Sequence, residues 1–128
     1  MDVPAEPDPN HRDSPTDVVV RLYGALRDRD IAEIQAVTDP RVICHPLVRP
    51  GLTMYFGHAG MIELAEDMHR VHGDYSVEIL HIDERHPGAV TVDAVIASPQ
   101  TPDREPLRVL TTYEVSEGRI TSIDSRAG

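Results

Sequence analysis

The apolar pattern of this 128-residue chain changes period once, near Gly73, and does not change back. Before that point apolar side chains recur every three or four residues, the spacing of one helix face. After it they alternate or run in short β-branched stretches, the spacing of strands. A chain that places its helices first and its strands last does not build the repeating strand–helix units of an α/β sheet, so the expected class is α+β. Short gaps between the later strands predict an antiparallel meander.

The element boundaries follow from capping and turn chemistry. Ser14 suits the N-cap, Pro15 the first helical position, and Asp17 sits three residues after the cap. Val19, Leu22, Tyr23 and Leu26 then form the stripe of a first helix. Asp30, with Glu33 in the capping-box position, starts a short second helix whose apolar side is Ile31, Ile34 and Val37. Asp39-Pro40 reads as a turn into a strand that ends at Arg41-Val42-Ile43-Cys44-His45-Pro46, and residues 46–56 as a loop or irregular edge. A third helix is expected from about His58 to His72, striped by Met61, Leu64, Ala65 and Met68, with Gly73 at C′. Three or four strands are expected, at about 74–85, 89–98, 106–116 and 119–125. Their turns are His86-Pro87-Gly88, the 99–106 stretch and Ser116-Glu117-Gly118. Residues 1–13 are acidic and proline-rich and read as a disordered tail, which leaves one domain over 14–126.

Charge and composition exclude several classes. The formal net charge is −10, which repels nucleic acid and anionic membranes alike. No apolar run approaches the roughly 20 residues of a membrane span, and no secretion signal is read at the N-terminus. Cys44 is the single cysteine, so no internal disulfide forms and a cytoplasmic setting is expected. All twelve basic residues are arginine, which excludes Schiff-base chemistry through lysine.

His45 is the first candidate for chemistry. Proline follows it and cannot donate to a strand ladder, so its ring stands where a buried strand leaves the sheet. There it is either a general acid or base in an apolar wall or an ordinary hydrogen-bonded histidine. Tyr23 is either core or a hydroxyl donor to a developing oxyanion. Asp93 lies in the strand Val90–Ile96, apolar on both faces, and is either an orienting partner for a histidine or a charge at an edge or dimer face. Thr111, Tyr113 and Val109 share one strand face by alternation. Cys44 points away from His45, so a Cys–His nucleophilic pair is not expected. His69 and His72 are three apart on the third helix, but no convincing third ligand accompanies them, and no metal site is expected.

The layout resembles the NTF2-like, or SnoaL-like, superfamily. Val18–Leu26 with Arg29-Asp30-Ile31 is similar to that family's opening helix pair, Tyr55–Ile62 to its glycine-led third helix, and Tyr113–Ile120 to its last hairpin. The resemblance implies a cone-shaped fold, a curved mixed or antiparallel sheet closed by three helices around an apolar cavity. It places Leu22, Leu26, Tyr55, Leu64, Met68, Val109, Thr111 and Tyr113 as candidate substrate contacts. It implies either a cofactor-free acid–base isomerase, cyclase, dehydratase or epoxide hydrolase using His45, Tyr23 and Asp93, or a non-catalytic binding or dimerisation module. The implied partners are a small apolar organic ligand and a second copy of the chain across the sheet. Against ketosteroid isomerases the chain departs where chemistry is done. Their base aspartate, which precedes a proline, matches His45, their helix-borne tyrosine matches Leu22, and their late-strand aspartic acid falls near Thr111. Steroid isomerisation by that arrangement is therefore not expected. Asp124 is only a loose match to the acidic residue that SnoaL cyclases carry after their last strand.

Overall fold

The structure is a computed structural model and describes residues 14–46, 54–98 and 105–128. The expected N-terminal tail, most of the 46–56 loop and most of the 99–106 turn lie outside the described residues. The elements run α1 (Pro15–Asp28), α2 (Ile31–Val37), β1 (Thr38–His45), β2 (Tyr55–Phe56), α3 (Gly57–His72), β3 (Ser76–His86), β4 (Ala89–Ala97), β5 (Leu107–Ser116) and β6 (Arg119–Ala127).

The two caps form as the sequence predicts. The Ser14 hydroxyl accepts from the Asp17 amide at 3.2 Å, and the Asp30 carboxylate accepts from the Glu33 amide at 3.2 Å. Each satisfies a backbone donor that the first helical turn leaves open.

Asp39-Pro40 is not the expected turn. Strand β1 begins at Thr38, immediately after Val37, the last residue of α2. Thr38 is buried and extended, and its hydroxyl donates to the Ile34 carbonyl at 2.6 Å, which closes the helix without a loop. Pro40 is accommodated because the β1–β6 register shifts between Thr38 and Ile43, so its missing N–H falls in an irregular stretch of the ladder.

Six strands form one sheet in the order β2-β1-β6-β5-β4-β3. Strands β3 to β6 are the antiparallel meander that their short turns require. Strand β1 joins β6 in parallel and β2 in antiparallel pairing, which makes the sheet mixed. One sheet face is apolar, with Val42, Val90, Val92 and Ile120 fully buried, and α1, α2 and α3 cover it with Val18, Val19, Leu22, Ile34 and Met61.

Two helical glycines separate packing from propensity. A Cβ on Gly24 would meet nothing within 4 Å, whereas a Cβ on Gly60 would lie 2.9 Å from the Tyr55 carbonyl carbon and 3.2 Å from its Cα. Gly24→Ala is expected to stabilise the fold by about 1 kcal/mol, the helix-propensity gain. Gly60→Ala is expected to destabilise it by about 1–3 kcal/mol, because a strand backbone cannot move aside as a flexible side chain can. Urea midpoints shifting in opposite directions for the two variants are the check.

Candidate functional site

A cavity of about 70 Å³ lies between the helices and the apolar face of the sheet. Helix α1 gives it Leu22, Tyr23 and Leu26, and α3 gives Leu64 and Met68. The sheet supplies Val77, Ala94 and Ile96 from β3 and β4, Val109, Thr111 and Tyr113 from β5, and Ile123 and Ser125 from β6. Cys44 and Pro46 complete the wall at the end of β1. Most of this surface is hydrocarbon.

The polar groups gather on one side. Tyr113 donates its hydroxyl proton to the Tyr23 oxygen at 2.8 Å, and the two rings meet edge to face with centroids 6.1 Å apart. Such a pair fixes ring orientation and contributes about 0.5–1.5 kcal/mol beyond area burial. The Thr111 and Ser125 hydroxyls lie 2.8 Å apart on the same wall of the cavity. Sheet register explains the cluster, since Thr111 sits opposite Ser125 and Tyr113 opposite Ile123 across the β5–β6 ladder.

These groups stay protonated at neutral pH. Burial pushes the Tyr113 hydroxyl well above its ordinary value, with the Tyr23 oxygen adding to the rise. Burial also raises Tyr23, partly offset by the hydrogen bond from Tyr113. The Cys44 thiol is pushed up to about 12 by burial, with the Asp124 carboxylate raising it further. A thiol in that state is neither a nucleophile nor a base near neutrality.

Seven of the eight expected substrate contacts line this cavity: Leu22, Leu26, Leu64, Met68, Val109, Thr111 and Tyr113. Tyr23 also lines it, through the hydroxyl side of α1. Tyr55 does not. It is buried, and its hydroxyl donates to the Asp67 carboxylate at 2.5 Å, with Arg70 on the other carboxylate oxygen, so it anchors β2 to α3.

His45 is not among the residues that line the cavity. Val42 and Cys44 are buried on the inner face of β1, and alternation turns Ile43 and His45 to the outer face, where His45 stands in register with Asp124. Asp93 is likewise on the outer face. Arg108 grips it through Nε at 3.0 Å and Nη2 at 2.6 Å, and that hydrogen-bonded arginine holds its carboxyl below the usual range. His45, Tyr23 and Asp93 are thus not brought together. Asp93 takes the edge-or-face reading. His69 donates from Nε2 to the Arg27 carbonyl at 2.7 Å, and His69 and His72 both pack edge-on against Tyr75.

Cys44, Pro46 and Ser125 are the notable lining residues outside the expected set. The signal for Cys44 was present in the sequence, because a strand that turns one of Cys44 and His45 outward turns the other inward. Ser125 carried no local signal, since only its pairing with Thr111 brings it to the cavity.

A protein-family model described as SnoaL-like domain matches residues 19–123. The chain belongs to the SnoaL-like family. Solved structures agree on the fold. An M. tuberculosis LEH-like epoxide hydrolase is 20% identical with a TM-score of 0.68, over 89% of this chain and 82% of that one. TerC, co-crystallised with polyporic acid, is 21% identical with a TM-score of 0.70, over 89% and 91%. IdmH from Streptomyces antibioticus, a candidate polyketide cyclase, is 16% identical with a TM-score of 0.71, over 90% and 92%. At these identities the likeness is one of fold. No curated protein gave a significant sequence match. No described helix of this SnoaL-like domain is long and apolar enough to cross a membrane.

The raised thiol has a measurable consequence. Between about pH 9 and pH 12 the unfolded chain has lost the Cys44 proton while the folded chain retains it. The folded state then binds more protons, so stability falls as pH rises through this window, by up to about 1.4 kcal/mol per pH unit for this group. Urea unfolding at pH 8 and pH 10 is expected to show a loss of about 1 kcal/mol from the thiol, which Cys44→Ala removes.

Proposed function

We propose that this SnoaL-like domain binds a small, neutral, mostly apolar organic molecule in its cavity, and that the Tyr23 hydroxyl donates a hydrogen bond to an oxygen of that molecule. The observation that carries this is the Tyr113-to-Tyr23 hydrogen bond at 2.8 Å inside a largely hydrocarbon wall. Tyr113 places its proton on the Tyr23 oxygen, so the Tyr23 proton is available to a ligand. None of the described lining residues carries a charge at neutral pH, and a charged ligand would lose its hydration without a counter-ion. A carbonyl, hydroxyl or epoxide oxygen suits the site.

The same donor gives the site an electrophilic role. A fixed hydroxyl aimed at an oxygen that gains negative charge stabilises it where water is excluded. Epoxide opening and carbonyl enolisation both develop such charge. The described lining offers no carboxylate or imidazole to act as base, and His45 faces the other side of the sheet. The geometry therefore favours binding and polarisation of an oxygen over proton abstraction by His45.

Cyclohexanone and methylenecyclohexane, equal in shape and different in oxygen, make the test. In an amide-shift titration, Tyr23→Phe is expected to weaken cyclohexanone by about 2- to 10-fold, the net worth of one hydrogen bond, and to leave methylenecyclohexane unchanged. His45→Ala is expected to change neither. Equal weakening of both ligands by Tyr23→Phe, or no weakening, overturns the proposal.

We also propose that the domain forms a homodimer through the outer face of the sheet. Phe56 is 60% exposed and Ile43 40% exposed on that face, where they are cross-strand partners. Side chains of this size are rarely left together in water. Sedimentation at micromolar concentration is expected to give twice the 14.2 kDa chain mass, and a 14.2 kDa species alone refutes the dimer.

A further inference from the structure

Sheet register divides the cavity floor into rows, and the rows differ in chemistry. At the inner end Tyr113 stands opposite Ile123, which pairs in turn with Cys44. One row along, Thr111 stands opposite Ser125. Beyond it come Ala94 with Val109, then Val77 with Ile96, and these rows present hydrocarbon only. Neighbouring rows are two residues, or about 7 Å, apart along the strands. The outer rows lie toward solvent. Val77 and Ile96 are half-buried there, and Leu26 and Met68 each keep 9% exposure, against 2% for Leu22 beside the Tyr23–Tyr113 bond.

The Thr111–Ser125 row holds hydrogen-bonding capacity of its own. Two hydroxyls carry two protons between them, and their 2.8 Å contact takes one. Whichever of the two donates, the second proton and the remaining lone pairs are left to whatever fills the cavity that both residues line. We infer that Thr111 and Ser125 form a second polar subsite, which binds a hydroxyl of the ligand. The cavity then takes a neutral molecule with two oxygens, an acceptor oxygen at Tyr23 and a hydroxyl one row toward the mouth. This rests on the reading of the cavity given above and narrows its ligand class. The two positions differ in kind. Tyr23 already accepts from Tyr113 and has its own proton to give, which suits a carbonyl or epoxide oxygen. A pair of hydroxyls donates and accepts at once, which a ligand hydroxyl matches in both roles and a carbonyl in only one. The outer rows require the rest of the molecule to be hydrocarbon. The structure therefore points to a hydroxylated ketone or hydroxylated epoxide with an apolar remainder directed at the mouth. Thr111 and Ser125 sit on adjoining strands, so the β5–β6 ladder fixes their spacing.

The probes are cyclohexanone with its 3- and 4-hydroxy derivatives, and methylenecyclohexane with the same two derivatives. In amide-shift titrations of the full chain, a hydroxyl at one of these positions is expected to tighten binding about 2- to 10-fold over the parent, in both series, the net worth of one hydrogen bond. Thr111→Val combined with Ser125→Ala removes both hydroxyls and is expected to bring that ratio to one or below. Each ratio compares two ligands in one protein, so a change in cavity shape largely cancels. If the double variant does not fold, nuclear Overhauser contacts in the native protein take its place. The carbinol proton of the favoured derivative is then expected to contact the Thr111 methyl and Ser125 methylene protons. A hydroxyl gain that is absent from either series, that survives in the double variant, or whose carbinol proton contacts neither residue overturns the second subsite. The methylenecyclohexane series has no ketone oxygen, so the two readings fail separately. Tyr23→Phe with native cyclohexanone affinity and an intact hydroxyl gain overturns the Tyr23 donor alone. Failure of every probe to bind overturns the cavity reading and the subsite with it.

Discussion

The parallel pairing of β1 with β6 holds the molecule together. Among the described residues, those up to the end of α3 are helical or belong to the short β1–β2 pair, and the strands after α3 form an antiparallel meander. The β1–β6 ladder joins these halves across about 80 residues of sequence, with Cys44 against Ile123 and His45 against Asp124. Once it forms, the apolar faces of β1 and the meander become one surface, and the helices have something to cover. The cavity exists because α1 and α3 rest on that joined surface without filling it.

The site shows how a largely hydrocarbon pocket gains specificity. Leucine, valine and methionine side chains exclude water and make any hydrogen bond inside count for more. The polar groups are then few, neutral and mutually satisfied. Burial keeps Tyr23, Tyr113 and Cys44 protonated, so the pocket presents donors of fixed number over a wide pH range. The charged residues stand elsewhere. Asp93 and Arg108 neutralise each other on the outer sheet face, and Asp67 is held by Tyr55 and Arg70 beneath α3. Division of labour between an apolar inner face and a charged outer face is what an antiparallel meander with period-two alternation provides.

Much of the fold was legible because it is written in local chemistry. Ser14 and Asp30 cap the helices as their side chains dictate, and the four long strands lie within about two residues of their expected bounds. The apolar stripe of α1 placed Leu22 and Leu26 correctly, and alternation along β5 placed Val109, Thr111 and Tyr113 together. The misreadings have local causes too. Asp39-Pro40 carries a turn signal, but the buried Thr38 hydroxyl bond to Ile34 and the register shift in β1 turn it into a bulged strand. Tyr55 is expected as a substrate contact, but the carboxylate of Asp67, twelve residues on in the next helix, takes its hydroxyl proton instead.

By itself the sequence determined the α+β order, the two helix caps and the approximate bounds of the later strands. Those features depend on residues within a few positions of one another. Tertiary structure decided which side of β1 faces the cavity. Val42 and Cys44 form one candidate inner face, Ile43 and His45 the other, and both pair an apolar residue with a polarisable one, so alternation gives the spacing of the faces but not their phase. Pairing with β6 sets the phase by aligning Cys44 with the buried Ile123. The β5–β6 pairing brings Ser125 to Thr111, and the packing of α1 on the sheet brings Tyr23 to Tyr113, so the hydroxyls of the cavity wall come from parts of the chain up to 90 residues apart.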